Sequence, residues 1–364
     1  MKMFFLIIMG AYLAGNIYIF VRLMQLISNF ALGWKIVISS LFWALALLLM
    51  ISMFLRDIPL PTAITKAMFN LGSIWMVFTL YMVLLLLVFD IAKIFIPSMQ
   101  WGFLYAFGLT ALVLSYGYYN YRHPKIEHID ITLDKYFDEG EVRIAAISDV
   151  HLGNGTDKQA LQRYVDMINA QKPDLILISG DLIDNSITPV KQQRMEEELS
   201  ELQAPMGIYM AAGNHEYISR IEQCEEFLQN TPIILLRDSV VTLPCGIQIV
   251  GRDDLSNRRR KSLEKLLGRV ESNKPIIVLD HQPYKLAETD ATGVDMQLSG
   301  HTHRGQVWPL SLLTDYIYEQ SHGYRKWQHT HIYVSSGLSL WGPPFRIGTN
   351  SELAIINIKS ATKP

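Results

Sequence analysis

RIAAISDVH, residues 143–151, runs from a β-forming apolar stretch straight into an aspartate and a histidine two positions apart. The same arrangement recurs along the chain as DLILISGDLID (174–184), GIYMAAGNHE (207–216), PIIVLDH (275–281) and VDMQLSGHTH (294–303). Each apolar run is short enough for one strand, and each leads into Asp, Asn or His. Between and beyond these runs lie polar segments with helical periodicity, DKQALQRYVDMINAQ (157–171), KQQRMEEELSEL (191–202) and 218–229, with a basic helix over 259–269. Further strands are expected at 232–236, 246–251, 331–335 and 352–358. Continuous apolar strands alternating with helices predict sheets covered on both faces. The later strands lack intervening helices, which favours a mixed sheet or two stacked sheets.

The 364-residue chain is 50% hydrophobic and 18% charged, with a formal net charge of -2. Soluble domains usually carry about 25% charged residues. The average conceals a division. Residues 1–121 hold only eight charged side chains, Lys2, Arg22, Lys35, Arg56, Asp57, Lys66, Asp90 and Lys93. The remainder is an ordinary α/β composition with a net charge of -6, which excludes a strongly basic nucleic-acid binder and predicts no nucleic-acid partner. Such apolar content also excludes intrinsic disorder. Cys224 and Cys245 are too few for a disulfide framework and form no C-x-x-C pair, so they read as reduced thiols.

A helix needs about 20 apolar residues to cross a bilayer. Four charge-poor stretches meet that length, and the expectation is a transmembrane anchor over 1–121 with four spans near 3–25, 36–55, 70–90 and 100–119. The first continues too far and lacks the cleavage site of a signal peptide. With the N-terminus inside, Lys2, Arg56, Lys66, Arg122 and Lys125 fall on the cytoplasmic side, against Arg22, Lys35 and Lys93 outside. Four crossings then place the soluble domain, 126–360, in the cytoplasm. Asp90 and Lys93 are expected to pair at an interfacial helix end. A transporter is disfavoured because the spans hold so few polar residues.

Ligands bind outside the carboxyl ends of strands in open α/β sheets. Five strand ends carrying Asp149 and His151, Asp181 and Asp184, Asn214, His215 and Glu216, Asp280 and His281, and His301 and His303 can therefore converge. Carboxylate, amide oxygen and imidazole are ligands for manganese, iron, zinc and magnesium, and imidazole tilts the choice toward transition metals. Gly180, Gly213 and Gly300 stand immediately before ligand candidates, where they permit tight exits from strand to loop. Each motif alone is weak; all five in this order are not. There is no P-loop and no Gly-x-Ser-x-Gly elbow.

These residues resemble the calcineurin-like metallophosphoesterases, whose pattern is D-x-H, G-D-x-x-D, G-N-H-E, a later His, and G-H-x-H. SGHTHRGQVWPL and YVSSGLSLWGPPFRIG look like the membrane-associated YkuE/YaeI-type branch. The resemblance covers about residues 126–358. It implies an α/β fold, a four-layer sandwich of two mixed β-sheets flanked by helices, here preceded by a bundle of four transmembrane helices. It also implies two divalent metal ions, with Mn2+ the first choice and Fe, Zn or Mg as alternatives. Asp149, His151, Asp181 and His303 would hold the first, and Asp181 would bridge to a second held by Asn214, His281 and His301. Such a pair lowers the pKa of a shared water and clamps phosphorus oxygens during in-line displacement.

His215 is expected to act as general acid on the leaving-group oxygen, and Asp184 matches the family Asp that pairs with it. Asp184 also suits a helix N-cap. Glu216 and Asp280 read as supporting carboxylates. Arg304 stands where many relatives have Gly, and a basic residue there could bind substrate phosphate. Tyr324, Trp327, Trp341, Pro343, Pro344 and Arg346 could wall a groove or pack the C-terminal hairpins. The function expected is hydrolysis of a phosphodiester or pyrophosphate by an integral membrane, multi-pass phosphohydrolase. Its substrate would be a phosphorylated small molecule or a lipid-linked one such as a UDP-diacylglucosamine-like molecule. The alternatives are an anchored phosphodiesterase for soluble nucleotides and a non-catalytic metal-binding receptor or scaffold.

Overall fold

The computed structural model describes residues 2–55 and 61–360. Arg56 and Asp57, which entered the charge count above, lie outside the described residues. Two compact units emerge. One runs through Tyr119 and takes in Gly342–Phe345; the other holds Asn120–Trp341 and the chain from Arg346 onward.

The first unit is helical: α1 (Lys2–Leu26), α2 (Leu32–Phe54), α3 (Thr62–Phe95) and most of α4 (Gly102–Arg122). Only three of these helices, over Ile7–Leu26, Leu32–Ser52 and Ala63–Phe95, are long and apolar enough to cross a membrane. The expectation of four transmembrane helices is therefore corrected to three. α4 has the length, but five tyrosines, three glycines, Asn120 and Arg122 dilute its apolarity. Its last residues join the second unit, where the Asn120 amide donates to the carbonyls of Arg346 (3.1 Å) and Thr349 (2.6 Å). Asp90 also differs from expectation: it pairs with Arg22 and accepts from the Tyr18 hydroxyl, both at 2.5 Å, rather than pairing with Lys93. A basic group from a neighbouring helix reaches it where the local i,i+3 partner does not.

The second unit contains two six-stranded sheets. Its strands are β1 (Lys125–Leu133), β2 (Glu141–Ile147), β3 (Leu175–Ser179), β4 (Ile208–Ala211), β5 (Ile233–Leu236), β6 (Ser239–Thr242), β7 (Gln248–Gly251), β8 (Ile276–Leu279), β9 (Met296–Ser299), β10 (Gly323–Lys326), β11 (His331–Val334) and β12 (Glu352–Ser360). One sheet has the order β1-β12-β2-β3-β4-β5 and the other β10-β11-β9-β8-β7-β6. β2 through β5 run parallel, as do β7, β8, β9 and β11, while β12 meets β2, β6 meets β7, and β10 meets β11 antiparallel. Both sheets are mixed, as expected.

The alternation of side chains explains the layering. Val142, Ile144 and Ala146 of β2, with Leu175 and Leu177 of β3, pack against Ile277, Leu279, Met296 and Leu298 of the second sheet. The opposite faces, Ala145, Ile147, Ile176 and Ile178, bury against Leu161, Tyr164, Val165 and Ile168 of helix α5 (Lys158–Ala170). On the far side, Val250, Ile276 and Val278 cover the helix bearing Leu263 and Leu266. These strands are apolar on both faces because both faces are buried, giving helix, sheet, sheet and helix in succession. β1, β6, β10 and the helix Leu310–Ile317 were not anticipated.

Candidate metal centre

The five clusters meet at the carboxyl ends of β2, β3, β4, β8 and β9. Parallel neighbours align these ends, and short backbone bonds hold the loops in step: the Asp149 N–H donates to the Gly180 carbonyl (3.1 Å), and that of His151 to the Asp181 carbonyl (3.0 Å). Close approach explains two of the glycines. A Cβ on Gly213 would collide with the Asp181 carboxylate, and one on Gly300 with the Ser148 hydroxyl and the Asp149 carboxylate. Asp149, His151, Asp181, His301 and His303 all have left-handed backbone, with φ between 47° and 72°. Non-glycine residues rarely sit there, and such strain concentrates where a side chain must be aimed.

Three groups of ligand atoms result: Asp149, His151 and His303; Asp181, His281 and His301; and His151, Asp181 and His215, each with atoms within 4.8 Å of one another. Asp181 belongs to two of them. His151 Nε2 lies 3.1 Å from His303 Nε2, and His303 Nε2 lies 3.4 Å from Asp149 Oδ1. His281 Nε2 lies 3.1 Å from Asp181 Oδ2 and 3.2 Å from Asn214 Oδ1. The other nitrogen of His281 faces the Ser179 carbonyl at 2.7 Å, so its proton belongs there and the lone pair points inward. Lone pairs of imidazole, carboxylate and amide thus converge with few protons to share. Cations relieve that convergence, and the mixed oxygen–nitrogen donor set fits divalent transition metals. All seven expected ligands lie here.

The four imidazoles divide. Burial opposes protonation of His151 and His281, but the carboxylates of Asp149, Asp181 and Asp184 outweigh it, raising His151 to about 10 and His281 well above the usual imidazole range. A cation bound there would displace those protons. Burial works to raise the pKa of Asp149, but His303, His151 and His281 outweigh it and hold the carboxyl well below its usual range. Burial, helped by the nearby His281, lowers His301 to about 4, and burial likewise pushes His303 well down. Both are neutral near pH 7, the form that ligates a metal.

In the third group, His215 Nδ1 lies 3.2 Å from Asp184 Oδ1, and the His151 ring stands edge-on to the His215 ring at 4.6 Å. Asp184 also lies 3.5 Å from His151 Nδ1. Burial opposes its ionisation, but the two imidazoles hold its pKa at about 2, so it remains a carboxylate. Arg304 follows His303 on the same loop, is half-exposed and makes no ion pair among the described residues.

Two supporting groups exceed what the sequence suggested. Glu216 is fully buried, and its carboxylate accepts from the backbone N–H groups of Asp181 (3.0 Å), Ile183 (2.9 Å) and Gly213 (2.7 Å). Glu three residues after a helix-starting Gly is a capping signal that could have revealed this. Arg346 is fully buried and does not wall a groove. It donates to the carbonyls of His303 (2.9 Å), Ser336 (2.5 Å) and Ser339, tying the His303 loop to the loop beside Asp149. Asp280 pairs with Arg252 and Arg260.

Residues 142–305 match the calcineurin-like phosphoesterase family. An uncharacterized metallophosphoesterase of Helicobacter pylori strain J99 is 34% identical over 283 residues, 74% of this chain and 75% of the relative. The chain is a calcineurin-like metallophosphoesterase. A Danio rerio transmembrane protein with metallophosphoesterase domain is 33% identical over 271 residues, 70% of this chain and 62% of that protein. The uncharacterized metallophosphoesterase YkuE of Bacillus subtilis is 31% identical over 259 residues, 67% of this chain and 90% of the relative. A phosphoester hydrolase follows from this membership; the family uses divalent metals in a binuclear centre, and groups of side chains that could hold such ions are present.

Proposed function

We propose that this metallophosphoesterase is a membrane-anchored hydrolase of a phosphodiester or pyrophosphate bond. The observation that carries the reading is the pair of ligand groups sharing Asp181, with the His215–Asp184 pair alongside. Asp149, His151, Asp181 and His303 would hold one divalent ion, and Asp181, Asn214, His281 and His301 the other. When bound, the ions supply an activated water and neutralise phosphoryl charge. His215 serves the leaving group. Asp184, 3.2 Å from Nδ1 of His215, would favour a proton on that nitrogen, leaving the other ring nitrogen to deliver a proton to the departing oxygen. Arg304 makes no ion pair among the described residues and suits a substrate phosphate.

The test is hydrolysis of bis-p-nitrophenyl phosphate by the manganese-loaded, detergent-solubilised protein, with metal content measured alongside. General acid catalysis contributes about 10²–10⁴ in rate. On an alkyl phosphodiester, whose alkoxide leaves poorly without a proton, His215→Gln is expected to lose that factor while retaining its metal. Unchanged turnover would remove His215 from the reaction.

The three apolar helices support a bilayer location and, with it, a lipid-linked substrate such as a UDP-diacylglucosamine-like pyrophosphate. Acylated substrates should then be hydrolysed faster than their soluble counterparts; equal rates count against it. Three crossings put Arg22, Lys35, Lys93, Arg122 and Lys125 on the catalytic domain's side and Lys2, Arg56 and Lys66 on the other. Next to the span ends the two sides carry three basic residues each, and only Arg122 and Lys125, farther along the chain, tip the balance toward a cytoplasmic domain.

A further inference from the structure

The helix Leu310–Ile317 is inside out. Its small polar residue Ser311 is 8% exposed, whereas Leu312 is 61%, Ile317 51% and Tyr316 90% exposed. Leu310, Leu313 and the preceding Trp308 are exposed as well. A helix on a water-facing domain buries its apolar stripe and presents polar residues outward. Here Asp315 is the one charged residue, and its carboxylate is occupied by the Ser321 hydroxyl.

Location makes this face more than a blemish. The helix follows the His303–Gly305 turn in the chain, so its N-terminal end is tied to the metal loop. Past its C-terminal end, the Tyr318 ring lies 6.3 Å from the His301 ring and stacks at a tilt against Tyr284 at 5.0 Å. Both ends of the helix are thus fastened beside candidate metal ligands. At about 1.5 Å per residue, eight residues are far too short to span a bilayer, but they can lie along its surface. Trp and Tyr flanking aliphatic side chains are the composition favoured at the boundary between headgroups and hydrocarbon. A bilayer is moreover always within reach, since the same chain carries three helices long and apolar enough to cross one.

We propose that Trp308 and the outward face of the Leu310–Ile317 helix dock into the lipid bilayer surface, holding the 301–305 metal loop at headgroup depth. The inference rests on the reading of α1–α3 as membrane spans and extends it to the catalytic domain. It identifies the covering partner as lipid rather than a second copy of the chain. A substrate whose phosphates lie at the headgroup level would then reach the metals without leaving the membrane.

The test is site-directed nitroxide labelling of the full chain in phosphatidylcholine–phosphatidylglycerol nanodiscs. Cys224 and Cys245 are buried, so wild-type protein provides the unlabelled control. Leu312→Cys and Tyr316→Cys report on the helix, Leu87→Cys in α3 on the hydrocarbon, and Glu226→Cys on an aqueous surface. The expected result is that labels at 312 and 316 collide with oxygen in preference to a nickel chelate, as at 87. Labels at 312 and 316 that match 226 would overturn the proposal. Labels shielded from both reagents would overturn it too, by showing protein on this face. An aqueous signal from 87 would instead refute the spanning reading itself, and the docking with it.

Discussion

Glu216→Ala tests how the site is built. Three backbone N–H groups, those of Asp181, Ile183 and Gly213, donate to this one buried carboxylate at 2.7–3.0 Å. Removing it strands all three in a place water does not reach. Hydrogen bonds to charged groups contribute about 1.5–3 kcal/mol each, but part of that is offset because Glu216 itself is costly to bury. Burial and the neighbouring Asp181 charge raise its pKa, which marks that cost. Taking about 1–1.5 kcal/mol net per bond gives a loss of about 3–5 kcal/mol. For a domain of this size each kcal/mol shifts the midpoint by about 2–4 °C, so melting should fall by at least about 6 °C. Differential scanning calorimetry or a fluorescence melt of the solubilised protein measures it. Metal content should fall with it, because the same bonds set the backbone of Asp181 and the turn before Asn214. A melting point within about 2 °C of wild type, with metal retained, would refute the claim that Glu216 organises these loops.

Arg346→Met removes the donor from the Ser336 and Ser339 carbonyls and loosens the His303 loop. Melting experiments should show about 2–4 kcal/mol lost, and a variant as stable as wild type would reduce Arg346 to simple packing. A second effect concerns acid. Burial, with a contribution from Lys326, lowers the pKa of His331, whose Nδ1 meets the Tyr324 hydroxyl at 2.8 Å. A lowered histidine pKa means that the unfolded chain binds the proton more readily, so stability falls as pH drops below about 6.5 toward the folded value. Between pH 7 and 5.5 the melting point of wild type should therefore fall more steeply than that of His331→Asn. Parallel profiles would contradict this.

Much of the catalytic unit could be read before it was seen because each apolar run is buried on both faces and each ends at the same edge. Asp149, His151, Asp181, Asn214, His281, His301 and His303 were visible because five successive apolar runs each end in such residues, although each motif alone is weak. The first strand could also have been found. Ile129, Ile131 and Leu133 alternate in KIEHIDITL, but only the last part of the strand is buried, so its signal is weak. α4 misled for a different reason. Absence of charge over a sufficient length suggested a span, while its tyrosines and glycines lower apolarity without adding charge. Arg346 had no local signature at all. Its role comes from the His303 carbonyl and from the Ser336 and Ser339 carbonyls of its own connection between β11 and β12, which only the folded chain brings together.

The binuclear centre is the claim on which the rest depends, and counting metal ions addresses it directly. Elemental analysis of the full-length protein, exchanged into manganese and freed of loose ions, should find two per chain. Asp181→Asn, which weakens the shared ligand, should retain fewer. A wild-type protein that binds no ion tightly, or a variant that holds as many as wild type, would contradict the account.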